Sequence, residues 1–449
     1  MTPELISRFD QRVPRYTSYP TAPHFQPGVG ADRYAQWLRA LPPEQPVSLY
    51  VHVPFCHSLC WFCGCHTKIV KRYDPIARYV DLLLAEIDLA AEAIGSSRRL
   101  GHLHFGGGTP TILSGDDVCR LGEHLHRRFE VDDGAEIAVE IDPRSVSKDK
   151  TATLAAIGVT RASIGLQDVN PKVQEAVNRV QTLSTTRRVI DWLREAGIEA
   201  VNIDLMYGLP HQDQDGIERT VEATVKLAPD RLALFGYAHV PWMKTHQRLI
   251  DEAALPDTEK RWAQFDHAGA LLCAAGYRPI GLDHFAKPDD PLVLAQREGR
   301  LRRNFQGYTV DSADALIGLG PSAIGALPEG YLQNHAPLHA WRDAVGEGHL
   351  PIARGLVLSD EDRLRRSVIE RLMCDLEVDL AKELLAFDRP EDHFATELER
   401  LDLLAADGLV AHDGQTVRVP EAARPLIRIV AAVFDQYLAA SEARHAVAV

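Results

Sequence analysis

With 449 residues, of which 45% are hydrophobic and 25% are charged, the chain has the composition of a globular protein and the length of two or three domains, or of one barrel with additions. Its formal net charge of −14 argues against non-specific binding to nucleic acids or anionic membranes, and no apolar run approaches the ~18–20 residues of a membrane-spanning helix. The first residues lack the features of a secretion signal and four of the seven cysteines are bunched, so we expect a cytoplasmic protein that uses cysteine for metal chemistry rather than for disulfides.

The first 46 residues are predicted to form an arm followed by a short helix. Residues 13–28 are rich in proline and aromatic residues, which is typical of extended chain. The helix is predicted over residues 32–41, with Asp32 as its N-cap. Two interpretations of the arm stay open: its aromatic residues pin it across a core, or it closes over the mouth of an active site.

A cysteine-rich loop follows the first predicted strand, Val47–Val53. Cys56, Cys60 and Cys63 have the spacing C-x3-C-x2-C, which lets three thiolates turn onto one small inorganic cluster. A [4Fe–4S] cluster held by three cysteines keeps one iron without a protein ligand. That iron can bind the amino and carboxylate groups of S-adenosylmethionine and pass an electron to its sulfonium. The protein then has to position the cofactors and protect a radical.

Other uses of these cysteines are compatible with their number. A structural zinc knuckle also needs four clustered ligands, but no second ligand pair is spaced like a zinc ribbon, and a disulfide pair is a weaker alternative still. We expect the side chain of Cys65 to point to the face opposite that of Cys63, so Cys65 is not counted as a cluster ligand. It is either a structural thiol or a direct participant in the chemistry.

Six strand-like segments alternate with helical patterns after residue 46. The strands are predicted at 47–53, 100–105, 135–141, 159–165, 199–205 and 230–237. The residues that begin, cap or end the first three intervening helices are Asp74-Pro75, Gly95, Ser114 with Asp117 as a capping box, Ser147 and Gly158. Further helices near 186–197 and 214–227 complete the alternation. This α/β pattern indicates parallel strands joined by crossover helices, and six units rather than eight predict an open, partial (β/α)6 barrel.

The polar motifs fall where such barrels carry their active sites, at the carboxyl ends of the strands. They are the cysteine loop, Gly106-Gly107-Gly108-Thr109, Glu140-Ile141-Asp142-Pro143, Gln167-Asp168, Asp204 and Tyr237-Ala238-His239. The glycines permit close approach of a ligand to the backbone, and a side chain at Gly108 is expected to clash with that ligand rather than with the fold. Carboxylates in a barrel mouth are unfavourable unless they are paired, so Glu140 and Asp204 are either a structural ion pair or acceptors for a ligand.

The remainder of the chain extends this barrel. A helix over 258–276 and a strand over 277–282 precede a polar loop region that runs to residue 308 and a glycine-rich stretch, 316–325. From residue 359 the composition favours helices, with a hairpin over 409–419 that resembles a winged-helix module. We therefore divide the chain into an arm and short helix (1–46), the barrel (47–282), a loop-rich extension lining the active site (283–358) and a mostly helical C-terminal domain (359–449).

Four arginines occur close together after the barrel. They are Arg297, Arg300, Arg302 and Arg303. Such a run is usually a solvated face. Because arginine binds carboxylates in a bidentate manner better than lysine does, Arg302 and Arg303 are also candidates for anchoring an acidic substrate.

Several longer motifs occur in one order from about residue 10 to the C-terminus. They are Arg15-Tyr16-Thr17-Ser18-Tyr19-Pro20-Thr21, Tyr50-x-His52-x-Pro54-Phe55-Cys56, Gly106-Gly107-Gly108-Thr109-Pro110-Thr111, Asn202-Ile203-Asp204-Leu205-Met206-Tyr207-Gly208-Leu209-Pro210, Asp283-His284-Phe285-Ala286 and Arg303-Asn304-Phe305-Gln306-Gly307-Tyr308-Thr309. The cysteine spacing resembles that of the radical S-adenosylmethionine (radical SAM) superfamily. Within it, the motifs together resemble the bacterial oxygen-independent coproporphyrinogen III oxidases.

This resemblance implies an anaerobic oxidative decarboxylase of haem biosynthesis. A 5′-deoxyadenosyl radical, made from S-adenosylmethionine at the [4Fe–4S] cluster, would remove hydrogen from the β-carbon of a propionate. Loss of CO2 and one electron then leaves a vinyl group. Two such reactions would convert coproporphyrinogen III into protoporphyrinogen IX, a substrate with four carboxylates that an acidic protein can bind only through a local basic cluster.

The resemblance also implies the site residues. Two S-adenosylmethionine molecules would be lined by Tyr50, Phe62, Gly107, Gly108, Thr109, Glu140, Gln167, Arg179, Asp204, Ala238 and Ile324. Roles in the chemistry would fall to Cys65, Glu140 and Gln306. The implied partners are coproporphyrinogen III and an electron donor such as a flavodoxin or ferredoxin system, for a monomer without a nucleic-acid partner.

An alternative on the same scaffold is a haem-binding or haem-transfer protein. Relatives of that kind typically lack the fourth cysteine and the Arg-Tyr-Thr-Ser-Tyr-Pro arm. This chain has both, which favours the enzyme. A DNA-binding role for the C-terminal hairpin is opposed by the negative charge of the chain.

Overall fold

The structure, a computed structural model, describes residues 5, 8, 9, 11–95 and 97–438. Its strands are β1 (Val47–Val53), β2 (Phe55–Cys56), β3 (Lys68–Ile69), β4 (Arg98–Gly107), β5 (Phe129–Ile141), β6 (Arg161–Gln167), β7 (Ala200–Tyr207), β8 (Arg231–Gly236), β9 (Arg278–Ile280), β10 (His284–Ala286), β11 (Arg302–Asn304), β12 (Gly307–Thr309), β13 (Ala315–Leu319), β14 (Ile324–Leu327), β15 (Gly330–Asn334), β16 (Ile352–Val357), β17 (Glu377–Asp379), β18 (Ala411–His412) and β19 (Thr416–Arg418). Its α-helices are α1 (Ala31–Ala40), α2 (Asp74–Ile94), α3 (Gly115–Arg128), α4 (Lys148–Ala156), α5 (Pro171–Ala176), α6 (Leu183–Glu195), α7 (Gln214–Val225), α8 (Thr258–Ala274), α9 (Pro291–Arg297), α10 (Leu338–Gly346), α11 (Asp360–Asp375), α12 (Leu380–Ala386), α13 (Ala395–Ala406) and α14 (Ile427–Ala432).

One 12-stranded sheet forms the centre of the described molecule. Its strand order is β16-β15-β14-β13-β1-β4-β5-β6-β7-β8-β10-β9. Six of these strands, β1, β4, β5, β6, β7 and β8, are parallel neighbours in that order, and helices α2 to α7 connect them. This confirms the predicted fold class: an α/β open partial (β/α)6 barrel with an N-terminal arm and a mostly helical C-terminal domain.

Helix ends follow the capping signals in most places. The Ser114 and Ser147 side chains accept hydrogen bonds from backbone N–H groups in the first turns of α3 and α4, and Gly95 ends α2 in the left-handed conformation. The predicted N-cap Asp32 is wrong, because α1 begins at Ala31 and Gly30 occupies the cap position without a side-chain hydrogen bond.

The segment expected to be loop-rich, 283–358, contains much of one side of the sheet. β13 pairs in parallel with β1 on the edge opposite β4, and β14, β15 and β16 add antiparallel strands beyond it. All five residues of β13 are buried. A seventh parallel strand thus joins the six predicted ones, and it overlaps the glycine-rich stretch 316–325.

The N-terminal arm packs into the core of the C-terminal domain. The buried side chains of Val13, Tyr16 and Tyr19 belong to the same apolar cluster as Leu372 of α11 and Phe434 near the C-terminus. The barrel has a separate apolar core. Burial of each such side chain typically stabilises by about 1.5–3 kcal/mol. The arm is therefore pinned by its aromatic residues, as one of the two interpretations held.

The predicted C-terminal hairpin is present as β18 and β19, and β17 adds a third strand to it. All seven cysteines are free thiols. None of the described helices combines the length and the apolar character that crossing a membrane requires.

Candidate active site

The cysteine loop begins at the carboxyl end of β1 and is closed by a short pair of strands. β2 and β3 run parallel. The N–H of Lys68 donates to the Pro54 carbonyl at 2.8 Å, and the N–H of Val70 donates to the Cys56 carbonyl at 3.1 Å. Because the loop is closed at its base, the three predicted cluster ligands line one cavity of ≈ 170 Å³.

Two hydroxyl groups face the sulfur of Cys56. The Thr67 hydroxyl donates to its Sγ at 3.1 Å and the Thr109 hydroxyl at 3.3 Å. Burial raises the pKa of the Cys56 thiol, and these two hydrogen bonds act in the opposite direction. Hydroxyl donors therefore favour the thiolate, which is the form of cysteine that binds metal.

Two arginines face the sulfur of Cys60. Nη2 of Arg144 and Nη1 of Arg179 each lie 3.4 Å from its Sγ. Asp142 orients both, with Oδ2 at 2.7 Å from Arg144 Nη2 and 3.7 Å from Arg179 Nη1. Burial alone would raise the pKa of Asp142, but the hydrogen bonds and charges of the arginines bring it below its ordinary value.

Cys65 shares the cavity with the predicted ligands, so its expected orientation is wrong. Residues two apart lie on the same face of an extended chain, so even an extended loop would turn both thiols to one side. In the structure the chain bends at Cys65. The Cys65 N–H lies 3.4 Å from Cys63 Sγ. Hydrogen bonding between the two thiols lowers the pKa of Cys63 and raises that of Cys65. The Cys65 side chain is exposed to the cavity.

Most of the residues that the resemblance implies for the cofactor line this cavity. They are Phe62, Gly107, Gly108, Thr109, Glu140, Gln167, Arg179 and Asp204. All of them except Arg179 also belong to the motifs predicted to converge on one rim of the barrel, and the four cysteines line the same cavity.

Among the described residues, neither Glu140 nor Asp204 has a Lys or Arg partner within 4.0 Å. The ion-pair contact of Glu140 is with the imidazole of His104. Glu140 accepts from the Gly107 N–H at 3.1 Å and lies 3.3 Å from His104 Nε2, whereas the Asn202 amide donates to Asp204 at 2.8 Å. Burial, and then the nearby charge of Glu140, raises the pKa of Asp204 to about 6.

The glycine turn is close-packed against the fold itself. Gly107 has a φ of +110°, which favours glycine. A Cβ atom on Gly108 would lie 2.6 Å from both the Phe55 carbonyl oxygen and Thr67 Oγ1. The expectation that a side chain at Gly108 would clash with a ligand rather than with the fold is therefore wrong, since the backbone of the cysteine loop occupies that space.

Two polar side chains in the cavity have unused hydrogen-bonding atoms. Gln167 Oε1 and Arg179 Nε are buried and have no partner among the described residues. Gln167 also has a φ of +68°, a strained conformation of the kind that clusters at functional sites. A guanidinium and an amide oxygen suit the carboxylate and ammonium groups of an amino acid.

Four other predicted site residues, Tyr50, Ala238, Gln306 and Ile324, are not among those that line this cavity. The Tyr50 hydroxyl is 3.0 Å from His52 Nδ1, and the Ala238 carbonyl accepts from Gln247, which also donates to the Phe62 carbonyl. Gln306 lines a separate cavity of ≈ 180 Å³ inside the barrel, and Ile324 packs against the apolar cluster that contains Phe25 and Tyr331.

Arg302 and Arg303 line a third cavity, beside the arm. The run of four arginines is thus divided, because Arg297 and Arg300 are exposed to solvent and Arg300 is paired with Glu298.

Thr67, Arg144 and Ser163 line the cluster cavity and were not predicted. Asp142 belongs to the predicted rim motif 140–143 and also lines the cavity. Arg144 follows that motif directly, so the strand-end rule could have found it. Thr67 lies within the cysteine loop, where the sequence holds no comparable signal.

The donor set fits a [4Fe–4S] cluster. No group of three or more His, Cys, Asp or Glu residues in the described part of the chain converges on a single metal ion, as a zinc site would require. In a cubane cluster each cysteine binds a different iron, and hydrogen bonds to sulfur tune the cluster. Three thiols around one cavity, each with a donor directed at its sulfur, have this arrangement.

Comparison with known proteins identifies the class to which this fold and site belong. Residues 50–224 match the radical SAM superfamily, and residues 358–426 match the HemN C-terminal domain. The class is therefore that of the radical SAM proteins.

Curated relatives resolve the family. The oxygen-independent coproporphyrinogen III oxidase of Bradyrhizobium diazoefficiens is 47% identical over 99% of both chains, and that of Escherichia coli is 41% identical over 97% of this chain and 95% of its own. The solved structure of the Escherichia coli coproporphyrinogen III oxidase, described as a radical SAM enzyme, superposes with a TM-score of 0.91 at 40% identity. It covers 95% of this chain and 100% of its own. The chain belongs to the oxygen-independent coproporphyrinogen III oxidase family, which confirms the resemblance and supports the oxidase over the haem-transfer alternative.

Proposed function

We propose that this protein catalyses the oxygen-independent oxidative decarboxylation of two propionate side chains of coproporphyrinogen III, giving protoporphyrinogen IX. The observation that carries the proposal is the convergence of Cys56, Cys60 and Cys63 with the carboxylates of Glu140 and Asp204 in one cavity at the rim of the barrel. Full-length relatives named for this activity support it.

Cys56, Cys60 and Cys63 would hold the [4Fe–4S] cluster. When bound, the cluster and S-adenosylmethionine supply one-electron cleavage of the sulfonium and a carbon radical that abstracts hydrogen. The protein's own groups stabilise the ligand set: the hydroxyls at Cys56 favour thiolate sulfur, the guanidinium groups of Arg144 and Arg179 donate to Cys60 Sγ, and the closed base of the loop fixes the positions of the three cysteines.

S-adenosylmethionine would be held by the polar residues of the rim. The Arg179 guanidinium suits its carboxylate and the Gln167 amide oxygen suits its ammonium, while Glu140 and Asp204 can accept hydrogen bonds from ribose hydroxyls. Gly107, Gly108 and Thr109 would form one wall of the cofactor site. Tyr50, Phe62, Ala238 and Ile324 complete the proposed lining. Two cofactor molecules in one active site remain part of this proposal.

The substrate would approach from the side of the arm. Arg302 and Arg303 would bind propionate carboxylates, and Gln306 would reach the substrate from the cavity inside the barrel. Cys65, exposed to the cluster cavity without serving as a ligand, would take part in the chemistry. Reduction by a flavodoxin or ferredoxin system, a monomeric state and a cytoplasmic location belong to the same proposal.

The test is an anaerobic assay of the reconstituted protein. Iron and sulfide are measured first, and the protein is then incubated with S-adenosylmethionine, dithionite and coproporphyrinogen III. We expect cluster-dependent cleavage of S-adenosylmethionine and release of CO2 with formation of protoporphyrinogen IX. Cofactor cleavage without conversion of the porphyrinogen would overturn the substrate, and a protein that assembles no iron–sulfur cluster would overturn the mechanism as well.

A further inference from the structure

A cavity of ≈ 270 Å³ lies between the arm, the β11–β12 hairpin and helix α11. Its walls include Tyr19 of the arm, Tyr331 of β15, Arg303 of the hairpin and Arg366 of α11. None of the residues that line the cluster cavity lines this one. It is therefore a distinct space, which we call the arm cavity.

Four arginines line the arm cavity, and two of them are already paired. Arg302 Nη1 lies 3.4 Å from Asp314 Oδ1, and Arg363 Nη1 lies 2.9 Å from Asp360 Oδ1. Each of these two charges already has a carboxylate partner within the protein.

The other two arginines carry charge that no contacting carboxylate compensates. Within the described residues, neither Arg303 nor Arg366 has a carboxylate oxygen within 4.0 Å of its guanidinium. Arg303 donates from Nη2 to the Arg15 carbonyl at 3.3 Å and stacks on the Tyr308 ring at 4.4 Å, while its Nε and Nη1 are buried without a hydrogen-bond partner. Arg366 is half-buried against the cavity.

The acidic residues of the arm cavity make their direct contacts with other groups. Asp314 pairs with Arg302, Glu370 Oε1 accepts from the Arg303 backbone N–H at 3.0 Å, and Asp311 accepts from the Ala313 N–H at 2.9 Å. Burial opposes the charge of both guanidinium groups, while Asp283 near Arg303, and Glu370 and Asp314 near Arg366, favour it through space without an ion-pair contact. The planar guanidinium groups of two such cations on one cavity suit a carboxylate ligand.

The arm cavity adjoins the active site through the interior of the barrel. It shares Asn304 and Thr309 with the barrel-interior cavity, and that cavity shares Glu140 and Asp204 with the cluster cavity. One end of an elongated or multiply charged ligand can therefore occupy the arm cavity while another part extends toward the cluster.

We propose that Arg366, together with Arg303, binds a propionate carboxylate of the substrate that is not the one undergoing reaction. This inference rests on the proposed function and assigns to the C-terminal domain, through α11, a part in substrate recognition. A site for a carboxylate remote from the reacting carbon would position the macrocycle relative to the cluster cavity.

The test compares two ligands on two proteins. Binding of coproporphyrin III, the air-stable oxidised form of the substrate with four carboxylates, is measured by fluorescence against that of its tetramethyl ester, which keeps the macrocycle but has no carboxylate. Arg366→Gln is expected to weaken coproporphyrin III binding by about tenfold or more, since loss of one charge-assisted partner is typically worth a decade in affinity. Binding of the ester should change by less than about threefold, because it has no carboxylate for this site.

The matched control is Arg300→Gln, which removes a charge from an exposed arginine near the same hairpin that is already paired with Glu298. It should leave both affinities unchanged. Iron content and S-adenosylmethionine cleavage without substrate verify that Arg366→Gln is folded. If that variant does not fold, Arg366→Lys keeps the charge but loses bidentate geometry, and it should weaken coproporphyrin III binding several-fold.

Equal losses for both ligands, or an unchanged affinity for coproporphyrin III in a folded variant that still converts coproporphyrinogen III, would overturn the carboxylate site while the proposed function stands. A wild-type protein that neither binds nor converts the tetracarboxylate would overturn the proposed function itself.

Discussion

At the scale of single residues, the cysteine loop makes a sharp distinction between two thiols in the same cavity. Cys60 is buried beneath the guanidinium groups of Arg144 and Arg179, whereas Cys65 is exposed and hydrogen-bonded to Cys63. Cys60→Ser should lose most of its iron and the brown visible absorption, because serine is a poor ligand for iron–sulfur clusters. Iron and sulfide analysis after anaerobic reconstitution measures the loss.

Cys65→Ser is the matched control for Cys60→Ser. It should retain the cluster, because a hydroxyl can replace the hydrogen bond to Cys63 without removing a ligand. Loss of iron from Cys65→Ser together with its retention in Cys60→Ser would reverse the assignment of the ligands.

Glu86 is a second residue whose environment makes a measurable prediction. Its carboxylate is buried, and it accepts hydrogen bonds from the Gly320 N–H at 2.7 Å, the Asn334 amide at 2.6 Å and the Trp341 indole at 3.0 Å. These contacts join α2 to the β13–β15 side of the sheet and to α10. Burial nevertheless raises the pKa of Glu86 to about 7.

The raised pKa gives stability a definite pH dependence. Because the folded state holds this proton more tightly than the unfolded state, the contribution of Glu86 to stability is greatest below the unfolded pKa and declines as the pH rises to about 7. In Glu86→Gln the group no longer titrates. The free energy of unfolding of the wild type, minus that of the variant, should therefore fall by on the order of 2–3 kcal/mol between about pH 4.5 and 7.

Urea unfolding of wild type and Glu86→Gln across this pH range measures the difference directly, and all other titrating groups cancel. A difference that stays constant with pH would mean that Glu86 is ionised throughout.

At the scale of secondary structure, the barrel strands could be predicted because their signals are local. Apolar runs, helix caps and turn residues mark β1 and β4 to β8 without reference to the rest of the chain. β13 could not be found in this way, since its partner β1 lies at the opposite end of the barrel sequence and its glycine follows the pattern of a loop. Likewise, the rim position of Glu140 followed from strand periodicity, and the same alternation puts Cys65 on the side of Cys63, two residues away, contrary to the expectation for Cys65.

The turn after β4 provides a prediction at this scale. The N–H of Gly108 donates to the Val53 carbonyl and that of Thr109 to the Phe55 carbonyl, each at 2.8 Å. Because a Cβ at Gly108 would overlap the Phe55 carbonyl, Gly108→Val should displace the base of the cysteine loop. Cluster content and S-adenosylmethionine binding should then fall together.

Iron analysis and equilibrium binding of S-adenosylmethionine separate the two quantities. A control is Gly134→Val, since a Cβ there meets no atom within 4 Å, and it should change neither. A Gly108→Val protein with a full cluster but weak cofactor binding would instead place the clash with the ligand.

At the scale of the whole molecule, the arm connects three regions that are distant in sequence. Arg15 Nη2 donates to the Gly236 carbonyl at the end of β8 at 2.9 Å, and the Arg15 carbonyl accepts from Arg303 of the hairpin. The Tyr16 hydroxyl donates to Asp435 at 3.0 Å. The arm therefore couples the barrel, the walls of the arm cavity and the C-terminal domain, and loosening it should affect their unfolding unequally.

Tyr16→Ala tests this coupling. Removal of a buried aromatic side chain typically reduces stability by about 3–5 kcal/mol, and here the loss falls on the core of the C-terminal domain, to which Tyr16 belongs. Calorimetry of the reconstituted protein should show the unfolding of that domain separating from, and preceding, that of the barrel.

Tyr16→Phe, which loses only the hydrogen bond to Asp435, should shift the transition by about 1–3 kcal/mol without splitting it. Leu385→Ala, at a side chain that is 82% exposed in the same domain, should leave the transition in place. A Tyr16→Ala protein that unfolds in one transition, lowered as a whole, would show that the barrel and the C-terminal domain are coupled through contacts other than those of the arm.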